Sequence, residues 1–436
     1  MDTAIIKLMT LGLPFSFLYV FMKMVEESDI FSALSWIGKP LGMGLRAGIC
    51  MMIILGLAVN VLTKVAIDRL LLKYYQKRSQ YMKEEELIAE IDRLPISSDL
   101  KIKLKWSFLH KDILHKDINW RSDLQRFIPW TFILTVIFTT ILSLTGYLGE
   151  LHRILEMTSH FKLQYLVVGF CTLFFFLLTR RQKWAIVSIF CIAINLVEIV
   201  PWYLPQFGNN SAIAAQIRIL QSNVLYRNNQ YDLVISVVKQ ENPDIAFFME
   251  VTETWRKELA TLKDTFPYSF FTTHYNKDTG IVIYSKLPLE NSSIQDLGGG
   301  RKTLITDVKV KGQVISLIAS HLSIPTKASS FDWRNKQLET LADYVKKMKH
   351  PIIAIGDWNI TMWSPFYKRF VRETGLKNAR YGFGILPSWP TTFPPLSIPI
   401  DQSLLSPEIK VINIRTGAKV GSDHLPVIQD LAIPAS

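Results

Sequence analysis

Three long apolar runs limit what this chain can become. They are "IPWTFILTVIFTTILSLTGYLG" (128–149), "LQYLVVGFCTLFFFLLT" (163–179) and "WAIVSIFCIAINLVEIVPWYL" (184–204). Each comes close to the ~20 residues that a helix needs to cross the hydrocarbon core of a bilayer. Lipid offers no partner to backbone N–H and C=O groups, so runs of this kind are confined to helices. The N-terminal half is therefore expected to be an α-helical, multi-span membrane region. Two earlier runs are weaker: 4–22 carries Lys7 and Pro14, and 41–63 carries Arg46 and several glycines. Both read either as spans or as interfacial or buried helices. The first of them lacks a basic leader and a small-x-small cleavage site, so it reads as an anchor and not as a cleavable signal.

Composition agrees with a mixed chain. A hydrophobic share of 49% is high for a wholly aqueous protein of 436 residues, a length with room for two or three domains. The three cysteines, Cys50, Cys171 and Cys191, lie in apolar runs, which excludes a readable disulfide framework and any Cys/His zinc spacing. A net charge of +12 suits nucleic acid, anionic lipid or the positive-inside bias of a membrane protein alike. Its placement is more useful than its sum. The link "RRQK" (180–183) and the segment 64–127, with Lys64, Arg69, Lys73, Lys77 and Arg78, predict cytoplasmic loops. That places everything after residue 205 on the outer side, together with Glu26, Glu27 and Asp29. Residues 81–110 read as two charged amphipathic helices broken at Pro95, a solvated hairpin at the membrane surface. The resulting plan is a helical region over 1–127, three spans over 128–204, a Pro/Gly/Asn-rich linker over 205–215 and a globular domain over 216–436.

In the globular part, β-rich runs alternate with helical patterns, which predicts α/β layering with helices covering sheets. Strands are expected at 216–223, 244–250, 280–285, 303–310, 313–321, 351–357, 409–415 and 426–431, and helices near 230–241, 252–263, 332–348 and 363–374. Polar residues gather where strands end: Asn223 after "RILQS", Glu250 in "DIAFFME", His321 in "ASH", Asp357 and Asn359 in "GDWN", and Asp401 in "IPID". Near the C-terminus "GSDHLPV" adds Ser422, Asp423 and His424. Any one of these reads as a turn or a helix cap. Together, hard oxygen donors for a magnesium-type ion, a carboxylate to orient water and imidazoles to handle protons are what hydrolysis of a phosphate ester requires.

The stretches "QSNVLYRN", "DIAFFMEV", "GIVIYSKLPL", "ASHL", "GDWN", "IPIDQSLLS" and "GSDHLPV", in this order over about 216–432, resemble the endonuclease/exonuclease/phosphatase superfamily, whose fold is that of pancreatic deoxyribonuclease. "GDWNITMWSP", and "PSWP" followed by "IPID", are similar to bacterial, membrane-anchored members. The resemblance implies a four-layer sandwich of two mixed β-sheets flanked by helices. It also implies a Mg2+ or Mn2+ cofactor held by Glu250, with Asn223 beside it and Asp423 completing the metal and water environment. Asp357 would orient and deprotonate the attacking water, and Asn359 would hydrogen-bond the scissile phosphate. His424, oriented by Asp401, would stabilise the phosphorane-like charge, while His321 contacts phosphate or assists the leaving group. Gln402 stands where the subgroup often has His or Tyr.

For substrate, the resemblance puts a nucleic-acid phosphodiester first. A lipid-headgroup phosphoester is an alternative that the bilayer anchor makes geometrically reasonable. Residues 207–436 carry 26 Lys and Arg against 20 Asp and Glu, a mild excess that suits either. A third reading, a non-enzymatic membrane scaffold with a decayed hydrolase domain, conflicts with the intact carboxylates. No protein partner is inferable. The expected location is a bacterial inner membrane, multi-pass, with the catalytic domain extracytoplasmic. A reporter fused after residue 436 should behave as extracytoplasmic, and a cysteine placed at 182 should resist labelling from outside; the opposite pattern in either assay overturns the orientation.

Overall fold

The computed structural model describes residues 71, 74–75, 78–79, 81–94, 98–109, 120–205, 213–272 and 279–434. The candidate spans at 4–22 and 41–63, Cys50 and most of the linker lie outside the described residues. The chain divides into two compact units, one up to Phe132 and one from Ile133 onward. In the first, α1 (Glu84–Arg93) and α2 (Ser98–Leu109) flank the expected break. They close over Leu87, Ile91, Leu100 and Leu104, and an Arg78–Glu90 ion pair of 2.6 Å lies alongside.

Three helical stretches are long and apolar enough to cross a membrane: Ile128–Leu148, Arg153–Leu178 and Gln182–Tyr203. The middle one starts ten residues before the apolar run predicted at 163, because α4 (Arg153–Thr158) and a 3-10 turn (Ser159–Phe161) lead into α5 (Lys162–Leu178). It is followed by α6 (Gln182–Ile199), and α3 (Trp120–Thr145) precedes it. The contacts between these helices use small and polar residues, as packing in lipid favours. A Cβ at Gly169 would lie 2.9 Å from the Ile192 side chain, so glycine sets the close approach of α5 to α6. Thr172 and Ser188 hydroxyls meet at 3.0 Å, and Lys162 Nζ donates to the Ser143 carbonyl at 2.9 Å. Leu134, Phe138, Phe174, Leu177, Ile186 and Val197 point outward, an apolar surface that suits acyl chains.

Beyond the linker stand two six-stranded sheets. Sheet A has the order β11 (Lys410–Thr416), β12, β1, β2, β4 (Gly280–Ser285), β3 (Tyr268–Phe271), and sheet B the order β5 (Leu289–Asp296), β6 (Lys302–Val310), β7, β8, β10, β9 (Lys377–Asn378). The strands that matter below are β1 (Ile213–Asn223), β2 (Ile245–Val251), β7 (Gln313–Ser320), β8 (Ile352–Asp357), β10 (Asp401–Leu405) and β12 (Val427–Pro434). Both sheets are mixed: β1–β2 and β7–β8 pair parallel, and β12 and β10 pair antiparallel to their neighbours.

Period-two alternation explains the layering. Ile219, Phe247, Leu317, Ile353 and Ile355 point into the space between the sheets. Their neighbours Leu220 and Phe248 turn to the outer face of sheet A, under α7 (Tyr231–Glu241) and α8 (Glu253–Leu259). Ile318, Ile352 and Ala354 turn to the outer face of sheet B, under α9 (Ala328–Lys347) and α10 (Pro365–Thr374). Residues buried on both faces are why "DIAFFME" and "PIIAIG" read as unbroken apolar runs. Each large side chain so buried contributes about 1.5–3 kcal/mol.

The outer cluster of sheet B includes Leu166, Ile192, Ile199 and Trp202 of the long apolar helices beside Trp358, Ile360, Met362 and Trp363. Helices and sandwich thus share a core. Trp202 stacks on Tyr381 at 4.1 Å, its carbonyl accepts from the Gly382 and Gly384 amides, and Trp363 Nε1 donates to the Glu198 carbonyl at 3.1 Å.

Four short or polar strands escape sequence reading: Tyr268–Phe271, Leu289–Asp296, Lys377–Asn378 and β10. One glycine is indispensable to the layering. Gly356 has φ +150°, and a Cβ there would fall on the Ser320 carbonyl oxygen of the neighbouring strand. Gly356→Ala should therefore destabilise the full chain by about 1–3 kcal/mol or more, read as a lowered melting temperature in detergent; an unchanged melt would contradict this packing.

Candidate active site

The site forms where strand register brings polar strand ends together. Parallel pairing sets Asn223 of β1 opposite Met249 of β2, so Glu250 falls next to it. Between Phe248 and Val251, β2 carries one residue more than its partner strand, and Glu250 adopts φ +60°. Bulges of this kind re-aim a side chain, and a non-glycine residue with positive φ is a strained element held by its surroundings. Two bonds hold this one: Asn223 Nδ2 donates to Glu250 Oε1 at 3.1 Å and the Tyr226 amide to Oε2 at 3.2 Å.

In sheet B, antiparallel pairing sets Asp401 directly opposite Asp357. The Asn359 amide donates to Asp357 Oδ1 at 3.0 Å, and Asn359 Nδ2 donates to the Leu322 carbonyl at 3.0 Å, with Asn359 at φ +51°. Asn223 Nδ2 also donates to Asp357 Oδ2 at 3.1 Å, which ties the two sheets together at the site. The turn before β12 is fixed by its serine: Ser422 Oγ donates to the Asn223 carbonyl at 2.7 Å and accepts from the His424 amide at 3.1 Å. His424 Nδ1 then lies 2.9 Å from Asp401 Oδ2, while Nε2 lies 3.7 Å from Asp357 Oδ2 and 3.9 Å from Asp423 Oδ1. Asp423 Oδ2 accepts from Trp389 Nε1 at 2.9 Å.

His321 closes the cluster. Its Nε2 lies 3.5 Å from Asp357 Oδ2 and 4.0 Å from Glu250 Oε1. Its Nδ1 lies 3.2 Å from Arg301 Nη1, and because a guanidinium only donates, this contact assigns the ring proton to Nε2, the nitrogen facing the carboxylates.

Charge follows from burial and pairing. Burial pushes the Asp357 carboxyl up to about 7, with His424 opposing. Burial works against charge on His424, but Asp401 and Asp357 outweigh it and lift its pKa to about 10. Burial, with Arg301 and His424, drives His321 well below the ordinary histidine value. The site therefore holds one cationic and one neutral imidazole near neutral pH.

All eight residues picked from sequence meet at this end of the sandwich. Four further groups at this end are not marked by the sequence. Arg301 follows three glycines with positive φ, a turn signal without a chemical one. Trp389 lies in "PSWP", which shows an aromatic residue but no role, and its indole N–H holds Asp423. Arg380 is fully buried; burial lowers its pKa to about 10, with Asp401 opposing. The Tyr226 amide acts through a backbone group that sequence does not display as chemical. Of the other motif aromatics, Trp358 and Trp363 are core, while Tyr226 and Trp333 are exposed. Gln402 is fully buried and structural: its Nε2 donates to the Ile360 and Pro399 carbonyls at 2.8 Å each, and its Oε1 accepts from Asn378 at 2.9 Å.

The donor set fits a hard divalent cation. Glu250 and Asp423 offer carboxylate oxygens, and Asp423 Oδ1 is buried with no hydrogen-bond donor among the described residues; Asn223 stands beside them with Nδ2 turned to Glu250 and Asp357 and Oδ1 accepting from the Leu225 amide. Asp357, Asp401 and His424 also bring one ligand-type atom each within 4.8 Å of one another.

Residues 220–424 match the model of the Endonuclease/Exonuclease/phosphatase family. No curated protein matches the chain. Among solved structures, the chain is similar to a humanized D. rerio TDP2, at 18% identity and TM-score 0.43, covering 50% of this chain and 98% of that one. It is similar also to an endonuclease/exonuclease/phosphatase from Beutenbergia cavernae, at 19% identity and TM-score 0.42, covering 50% and 72%. The human Nocturnin catalytic domain matches at 19% identity and TM-score 0.41, covering 51% and 96%.

The Asp401–His424 contact makes a direct forecast. Asp401→Asn removes the largest influence that raises His424, so its pKa should fall from about 10 toward or below the ordinary histidine value, since burial remains. Histidine-selective NMR titration in chelator-containing buffer reads this; an unmoved midpoint would show that Asp401 is not the partner.

Proposed function

We propose that this chain, whose residues 220–424 form a domain of the endonuclease/exonuclease/phosphatase family, is a divalent-metal-dependent phosphodiesterase carried on three membrane-spanning helices. The observation that supports this reading is the convergence of Asn223, Glu250, Asp357, Asp401, His424 and His321 at one end of the sandwich. Glu250, Asn223 and Asp423 would hold Mg2+ or Mn2+. Such an ion, when bound, offsets negative charge on the phosphate.

The remaining steps belong to side chains. Asp357, a buried carboxyl whose affinity for protons is raised, takes the proton of the attacking water. His424, cationic and fixed by Asp401, presents Nε2–H to the charge that grows on the nonbridging oxygens. Asn359 and His321 contact the phosphate, and His321 Nε2–H is placed to serve the leaving oxygen. The location inferred is a bacterial cell membrane, with the catalytic domain on the extracytoplasmic side.

A nucleic-acid strand is the substrate class that the family resemblance puts first. One observation favours the lipid-headgroup reading. The sandwich meets the helices through segments at the site-bearing end of sheet B. Arg153 Nη1 donates to the Thr326 carbonyl at 2.7 Å, Gln164 Nε2 to the carbonyls of Pro395 and Ser397 at 3.1 Å each, and Lys368 pairs with Glu198 at 2.7 Å. Ile324, Trp333 and Phe393, on segments of that same end, are exposed. Segments that flank site residues thus also contact the helices, which supports a substrate drawn from headgroups.

The test is a screen of the purified full chain with Mg2+ or Mn2+ against plasmid, single-stranded DNA, RNA, sphingomyelin and phosphoinositides. Hydrolysis of at least one class is expected, lost in excess chelator and in Glu250→Ala with the melt unchanged. Full activity in chelator would overturn the metal assignment, and inactivity on every phosphoester would overturn the reaction.

A further inference from the structure

A fully buried ion pair outside the catalytic cluster links the membrane segment to it. Arg334 on α9 and Glu156 on α4 are both 0% exposed. Arg334 Nη2 lies 3.3 Å from Glu156 Oε1, and Arg334 Nη1 donates to the Asn359 carbonyl at 3.3 Å. On its other side Glu156 Oε2 lies 3.3 Å from His160 Nε2, and His160 Nδ1 lies 2.9 Å from Thr361 Oγ1. The rings of Phe331 and Phe366 flank the guanidinium at 5.3 and 5.7 Å.

Two features separate this arrangement from ordinary glue. Burying an ion pair costs desolvation that its attraction recovers only in part, so apolar side chains of similar volume would hold the interface at least as well. Both arms of the cluster also end on the "GDWNITMW" turn, at Asn359 and Thr361, rather than at arbitrary points of the interface. Asn359 has φ +51°, an uncommon backbone conformation outside glycine. A guanidinium reaches a carboxylate and a carbonyl at once, which a lysine ammonium does less well.

We propose that Arg334 is a positioning residue for the Asp357–Asn359 turn, clamped by Glu156, so that the membrane segment completes the active site rather than merely tethering it. This rests on the phosphodiesterase reading, and the test keeps the two apart. Two full-chain variants in detergent are compared with wild type: Glu156→Leu with Arg334→Met, which leaves no unpaired member of the ion pair, and Arg334→Lys, which keeps the charge. The measurements are turnover per folded molecule on bis(p-nitrophenyl) phosphate with Mn2+, and amide hydrogen exchange over residues 358–364.

The expected result is a fall in kcat of about tenfold to hundredfold with KM changed less than about twofold, and faster exchange in that segment alone. Wild-type kcat per folded molecule in both variants, or wild-type protection of 358–364 in both, overturns the proposal. If wild type itself cleaves no phosphodiester, the reading of the reaction fails and exchange alone decides the positioning role.

Discussion

Asp357 and Asp401 stand opposite each other on neighbouring buried strands, and that pairing governs the site. Two carboxylates cannot both stay ionised out of water unless a cation compensates them. His424 supplies the compensation: Nδ1 contacts Asp401 at 2.9 Å and Nε2 faces Asp357 at 3.7 Å. The imidazole is cationic because of the carboxylates, and the carboxylates tolerate burial because of it. Asn223 extends the arrangement into the other sheet by donating to both Glu250 and Asp357, so neither sheet carries a complete site alone.

The strong central strands were legible because burial on both faces writes itself as uninterrupted Val, Ile, Phe and Ala. β2, β7 and β8 therefore came out of the sequence close to their observed limits. β10 did not, although its first residue was singled out: "DQSLL" is buried, yet its polar members are satisfied by Asn378, Gln429 and backbone carbonyls that no local pattern reveals. Leu289–Asp296 alternates too weakly to announce a strand, as expected of a sheet edge, where one flank needs no partner.

The site showed the same division. Side chains whose chemistry is intrinsic, such as Glu250 or His424, could be named from strand-end position. Groups that act through geometry were invisible: the Tyr226 amide, the Arg301 contact that assigns the His321 tautomer, and the Glu156–Arg334 pair separated by long stretches of chain. The three long apolar runs were legible as helices by length alone. That their ends would share an apolar cluster with Trp358 and Trp363 could not be read, because hydropathy reports only that a side chain avoids water and not whether lipid or protein receives it.

The positive φ angles at Leu225, Glu250 and Asn359 carry an evolutionary consequence. Each such angle costs on the order of 1–3 kcal/mol for a residue bearing a Cβ, and glycine would relieve it. At 250 and 359, glycine would also delete the carboxylate or the carboxamide. Selection for stability and selection for chemistry therefore pull in opposite directions at the same two codons. A lineage released from catalytic duty should drift to glycine there first, while its strands and long apolar helices still read as intact.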